Sequence, residues 1–288
     1  MTSCVGGAFA GTFKQASIVP IKFMTTGLIA PTLADAVNAI AVALNDKAQS
    51  GVPAGVLSMS FGFKVENLRV TAEQPENTVD PFADLLQRTE QANIIPVASS
   101  GNYENQDLTD NTPRRNGGAN TNMIVVGAAD ETSSRYSTST FKDPSGQNIL
   151  SIYAMGRRVV CAGQDSPNSY KRNTGSSPAT AQVAGIVAMY LAKGLTTVPN
   201  AKQYLLQEAL RLKGGNWPND GMGAPPGAGP PRAAVGWQIP CQKANAPLAT
   251  QPPYEPPIDR YYTDTSGAYS KPITNWDANE PDCVRPIP

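Results

Sequence analysis

Histidine is absent from all 288 positions of this sequence. That removes the side chain most often used as a general base near neutral pH, and with it every imidazole-ligated metal site. Charge is sparse as well: charged residues make up 16% of the chain, and 23 Lys and Arg balance 23 Asp and Glu. A zero formal balance supplies no electrostatic drive toward nucleic acid or an anionic membrane surface. No run of about 18 apolar residues occurs, so no membrane-spanning helix is expected. A basic stretch followed by an apolar core is missing from the opening residues, so no secretory leader is expected. The four cysteines, Cys4, Cys161, Cys241 and Cys283, include no CxxC pair, which argues against structural zinc. They allow three full pairings, and spacing selects none.

What remains is enough for a sizeable core. Apolar residues form 40% of the chain, a length suited to one large or two small domains. Proline divides it: 15 of the 26 prolines fall between Gly214 and Pro288, in runs such as GMGAPPGAGPPR and QPPYEPP. This stretch has no periodic apolar face and reads as a polyproline-rich extension, with Trp217, Trp237 and Trp276 as its packing points. Residues 1–213 alternate short apolar runs with helical patterns. Strands are expected at Ser17–Phe23, Gly55–Ser60, Asn93–Ser99 and Met123–Ala129. Thr32, with Asp35 three residues on, signals a helix start, and Leu33, Val37, Ile40 and Leu44 form one face of that helix. Asp80-Pro81 opens a second helix carrying Phe82, Leu85 and Leu86. Two more are expected over Ser177–Lys193, ending at Gly194, and Asn200–Lys213, ending at Gly214-Gly215. Strands alternating with helices imply a mainly parallel sheet covered on both faces, an α/β layered domain.

Two segments carry chemistry. In NTGSSPATAQVAGIVAMYLAKG, a glycine and two serines precede a helix of small residues, so a hydroxyl would stand at a helix N-terminus. Backbone N–H groups and the helix dipole there can stabilise an oxyanion, although an N-capped packing helix has the same pattern. In IIPVASSGNYENQD, a strand runs into Gly101 and then Asn102 at the carboxyl edge of the sheet, where parallel α/β sheets place their ligands. An asparagine amide there can donate to developing negative charge; a plain turn residue is the competing reading.

Taken together and in this order, the two segments resemble the subtilisin-like serine peptidases, or subtilases. Gly175 to Gly185 reads GSSPATAQVAG against the family pattern G-T-S-x-A-x-P-x-x-A-G, which identifies Ser177 as the nucleophile. Ser100-Gly101-Asn102 matches A-G-N, so Asn102 takes the oxyanion donor role. Met59-Ser60-Phe61-Gly62 matches M-S-x-G. NMIVVGAAD and SIYAMGRRVVCAG extend the likeness over residues 2–213. The resemblance implies a three-layer subtilisin-like fold, a peptide or protein substrate, no cofactor and an extracellular setting. Calcium is common in the family, yet no carboxylate cluster marks a site here. Ser60, Phe61 and Gly62 would pair with an extended substrate backbone. Ser99, Ser100 and Gly101 would line one wall of the primary specificity pocket.

The pattern also breaks. Thr2 to Gly6 aligns with T-x-C-A-G of the segment that carries the catalytic histidine, and the histidine position falls just before Met1. The aspartate strand is not visible either. Cys4 stands where some subtilases keep a thiol beneath that histidine; a plain buried core cysteine reads equally well. Pro178 follows Ser177 directly and disfavours the α conformation before it, while Ala181 replaces the family's proline. The reading is therefore an N-terminally truncated peptidase domain, 1–213, with a Pro/Gly-rich extension, 214–288. The chain alone is expected to be inactive, with an exposed sheet edge at Ser17–Phe23 that a missing N-terminal segment or partner chain would cover. The alternatives are a non-catalytic pseudo-peptidase that retains a peptide-binding cleft and an unrelated α/β binding protein.

Overall fold

The structure is a computed structural model that describes residues 1–7, 11–23, 31–65, 80–130, 135–163 and 169–209, and two short strands beyond them. Helix α1 (Thr2–Gly6) is followed by α2 (Leu33–Ser50). The start of α2 is a reciprocal capping box: the Asp35 N–H donates to Thr32 Oγ1 at 3.2 Å, and the Thr32 N–H donates to the Asp35 carboxylate at 2.8 Å. Gly51, at φ 66°, ends it in the left-handed conformation. Strands β1 (Gly55–Met59) and β2 (Phe63–Lys64) precede α3 (Pro81–Gln91). Asp80 caps α3 by accepting from the Phe82 N–H at 3.0 Å, and Pro81 takes the first helical position, where no N–H is needed. Strands β3 (Ile94–Ser99), β4 (Asn111–Thr112), β5 (Ile124–Ala129), β6 (Ile152–Met155), β7 (Val159–Ala162) and β8 (Tyr170–Asn173) come next. Helices α4 (Ser176–Ala192) and α5 (Ala201–Glu208) follow, then β9 (Tyr261–Thr263) and β10 (Lys271–Pro272).

Four strands form a parallel sheet in the order β1-β3-β5-β6. Every residue of β3 and β5 is buried, as central strands covered on both faces require. Alternation along them divides the core. Ile95, Val97, Ile124 and Val126 pack with Ala179, Val183 and Val187 of α4 and Leu205 of α5. Ala98 and Val125 turn the other way, onto Ala36 and Ile40 of α2 and Phe82 and Leu86 of α3. Helix, sheet, helix: the three layers follow from the period-2 pattern of the strands.

The expected strand at Ser17–Phe23 does not form: none of these residues is in a strand. Ile18 is 37% exposed and Val19 56%. A strand needs a ladder partner, none is supplied among the described residues, and Pro20 withholds one donor. The edge of the four-stranded sheet is instead β1, which pairs only with β3 among the described residues and leaves Ser58 exposed. Helix α4 begins one residue earlier than expected, and α5 is described as far as Glu208. The Gly214-Gly215 stop, Trp217, Trp237 and Trp276 lie outside the described residues. Within 214–288, β9 adds in parallel to β8, and β10 pairs antiparallel with β9.

Close approach explains the small-residue face of α4. A Cβ added at Gly185 would fall 1.9 Å from Thr12 Oγ1 and 2.9 Å from the Val5 carbonyl oxygen. Thr12 Oγ1 itself donates to the Gln182 carbonyl at 3.1 Å, so the segment after α1 is hydrogen-bonded onto the helix. Gly185→Ala is expected to destabilise the fold by about 1–3 kcal/mol through overpacking, outweighing the ~1 kcal/mol helix-propensity gain of alanine. Urea denaturation measures it. Pairing the change with Thr12→Ala should recover part of the loss; a more stable single variant would show that the contact gives way freely.

Candidate functional site

Three carboxyl-edge segments meet: the end of β3 with Gly101 and Asn102, the end of β1 with Ser60, and the first turn of α4. Asn102 is joined to α4 through one atom. Its Oδ1 accepts from the Ser176 N–H at 2.8 Å and from the Ser176 hydroxyl at 3.0 Å. Those two bonds fix the amide orientation and leave its N–H donors without a hydrogen-bonded partner among the described residues. Ser176 Oγ in turn accepts from the Gly101 N–H at 3.1 Å. Ser176 is fully buried, the Asn102 side chain is exposed, and Ser177 is half-buried. Sequence reasoning passed over Ser176 because it looked only like the family's small hydroxyl residue before the nucleophile.

Glycine is needed at two of these positions. Gly175 has φ +132°, and a Cβ there would sit 2.8 Å from both amide-end atoms of Asn102. Gly101 has φ +103°, and its Cβ would fall 2.4 Å from Arg114 Nη1. Ser177 adopts helical geometry despite Pro178: the missing proline N–H falls among the first-turn donors that lack intrahelical acceptors anyway. The Ser177 carbonyl accepts from Ser60 Oγ at 3.2 Å, which ties β1 to α4. The Ser177 hydroxyl makes no hydrogen bond among the described residues.

The other expected residues divide between surface and core. Gly62 is exposed and Ser60 half-buried. Phe61 packs inward against Phe23, Phe63 and Phe82, with ring centroids 4.9, 5.9 and 6.3 Å away. Ser99 is 7% exposed and Ser100 is fully buried, its hydroxyl 3.4 Å from that of Ser139. Gly101 therefore offers more surface to the site than Ser99 or Ser100. Beneath it lies Arg114, 4% exposed, whose burial pulls the guanidinium pKa down to about 10. It stays cationic at neutral pH.

Cys4 is not a free thiol. It is joined to Cys161 of β7, with the Cα atoms 5.4 Å apart, a separation that suits a disulfide. Ala181 packs against both sulfur residues, so a small side chain replaces the family's proline where the bridge meets α4. Among the described residues no cluster of three or more His, Cys, Asp or Glu could hold a metal ion, and no helix is long and apolar enough to cross a membrane.

A family model described as the Subtilase family, Peptidase_S8, matches residues 2–228. Subtilisin-like protease 2 of Trichophyton equinum is 29% identical over 121 residues, 42% of this chain and 26% of that protein. Its counterpart in Trichophyton rubrum is 32% identical over 108 residues, 38% and 23% of the two chains. The chain thus matches about a quarter of the length of these curated relatives. Among solved structures, a cold adapted subtilisin-like serine proteinase superposes with a TM-score of 0.56 at 21% identity, covering 72% of this chain and 65% of that one. The parallel sheet and α4 lie within the residues matched by the family model, and the chain belongs to the subtilase family.

Proposed function

We propose that residues 1–213 are part of a serine endopeptidase domain acting on peptide or protein substrates, with residues 214–288 as an extension. Ser177 is the nucleophile and Asn102 the oxyanion donor. The observation that carries this reading is the Asn102–Ser176 clamp: it holds an amide with uncommitted N–H donors beside the first turn of α4, where Ser177 stands. Ser60, Phe61 and Gly62 supply an edge for the substrate backbone, and Ser99, Ser100 and Gly101 belong to the wall of the pocket for its side chain. In the attack that opens acylation the Ser177 Oγ–carbon bond forms, the carbonyl π pair moves to the oxygen and the hydroxyl proton must leave; collapse of that oxyanion then breaks the C–N bond and releases the amine, which takes up a proton. No histidine in this chain can receive the hydroxyl proton, so the chain alone is inactive. A segment or partner chain pairing with the edge of β1 would extend the sheet; the exposed Ser58 and the single ladder of β1 among the described residues support this. The disulfide supports an extracellular setting.

The second reading, a pseudo-peptidase that binds extended peptides without cleaving them, is favoured by the Ser177 hydroxyl, which has no hydrogen-bonded partner among the described residues. A fluorophosphonate probe tests the assignment. At neutral pH labelling should be negligible, and at alkaline pH a slow adduct should map to Ser177 by mass spectrometry and vanish in Ser177→Ala. An adduct on another serine would overturn the nucleophile assignment, and rapid labelling at neutral pH would overturn the inactivity.

A further inference from the structure

We propose that the Arg114 guanidinium beside Gly101 is a receptor for a carboxylate, so that extended peptides presenting an acidic side chain there bind in preference to neutral ones. The inference rests on the reading of this cleft as a peptide site and deepens it to a substrate class.

Arg114 lies on the turn Arg114–Asn116 and is 4% exposed. Part of its guanidinium is committed to structure. Nε donates to the Leu108 carbonyl at 3.2 Å, and Nη2 donates to the Asp107 carbonyl at 2.9 Å and to Gln106 Oε1 at 3.5 Å. Nη1 donates to nothing among the described residues. It stands under Gly101, where an added Cβ would meet Nη1 at 2.4 Å and Thr140 Oγ1 at 2.9 Å. No carboxylate lies within ion-pair distance of Arg114 among the described residues, and Asp110 acts on it only through the longer-range field.

A buried cation without a counter-ion is costly, and removing one partner of such a pair is what usually creates this state. A pin for the 106–108 turn would need only carbonyl acceptors, which Nε and Nη2 already have. The free Nη1 end instead faces the backbone of the expected pocket wall. An incoming carboxylate there would accept a charge-assisted hydrogen bond and neutralise the guanidinium in a water-poor setting. Glycine at position 101, held at φ +103°, leaves the space that Nη1 itself occupies, so the guanidinium end comes up directly against the backbone there.

Two N-acetylated tetrapeptide amides, identical except for Glu or Gln at the residue entering the pocket, are titrated onto the purified chain by calorimetry. The Glu peptide is expected to bind about tenfold tighter, the size of one charge-assisted hydrogen bond. In Arg114→Gln that ratio should fall to one while the Gln peptide still binds. Should the variant fail to fold, the Glu-to-Gln ratio on the unaltered chain decides alone. Equal affinity of the two peptides, with NMR shifts at Ser60–Gly62 showing that both occupy the cleft, overturns the inference and leaves the peptide-site reading intact. If neither peptide binds, the peptide-site reading falls and takes the inference with it.

Discussion

Peptide hydrolysis by this chain alone is expected to fall about a millionfold short of a complete serine–histidine–aspartate site, the deficit known for subtilisin itself when its base is removed. The size follows from proton transfer. A serine hydroxyl attacks a carbonyl efficiently only while a neighbouring base takes its hydrogen, and the chain has no histidine anywhere. The Ser177 hydroxyl has no hydrogen-bonded acceptor among the described residues that could stand in for one. Under the proposed assignment, what survives is Asn102 as oxyanion donor. An asparagine in this role is worth roughly 3 kcal/mol, again the value for subtilisin, and it stabilises a charge that the missing base prevents from forming quickly. Turnover of a fluorogenic peptide by protein cleared of host proteases measures the deficit, with Ser177→Ala as the background. Activity at ordinary peptidase rates that disappears in Ser177→Ala would refute the claim. A second arm adds free imidazole to the buffer: a rate increase that depends on Ser177 would show that the nucleophile and oxyanion donor are in place and lack only the base.

Local chemistry was the legible part of this fold. Thr32 and Asp35 announce a capping box in four residues of sequence, and Asp80-Pro81 announces a helix start in two; both form as expected because caps depend on neighbours in the chain. The buried strands Ile94–Ser99 and Ile124–Ala129 were visible as unbroken apolar runs. Ser17–Phe23 shows the limit of that signal. An apolar run specifies a strand only if a partner ladder exists, and partners are a property of the tertiary fold. At the candidate site, sequence singled out Asn102 and Ser177, which the structure brings together through Ser176, but it passed over Ser176 and Arg114. Ser176 acts through its contact with a residue 74 positions away, and Arg114 through packing under Gly101, so neither leaves a mark in its own neighbourhood. Cys4 illustrates the same point, since four cysteines permit several pairings and only the fold selects Cys161.

Removing the Cys4–Cys161 bridge is expected to lower the unfolding free energy by about 4–5 kcal/mol, from the chain-entropy cost of freeing a loop longer than 100 residues. The sequence separation is 157 residues, so the unfolded chain regains a large conformational freedom that the bridge denies it. Against a typical domain stability of about 5–15 kcal/mol, that is a large share. Both sulfur residues are essentially fully buried, so reductant reaches them slowly. The double variant Cys4→Ala/Cys161→Ala is therefore the cleaner probe, read by urea denaturation under non-reducing conditions. The local consequence should be as specific as the global one. The bridge fastens α1 to β7, the Ala162 N–H donates to Ser3 Oγ at 2.8 Å beside it, and α1 packs on α4. Without it, amide hydrogen exchange should rise first in Thr2–Gly6 and in the first turns of α4, where Ser176 and Ser177 stand, before it rises in β3 and β5. A loss below about 1 kcal/mol, or uniform loosening of the sheet with α1 still protected, would show that the apolar contacts of Val5 and Ala181 hold α1 in place without the covalent link.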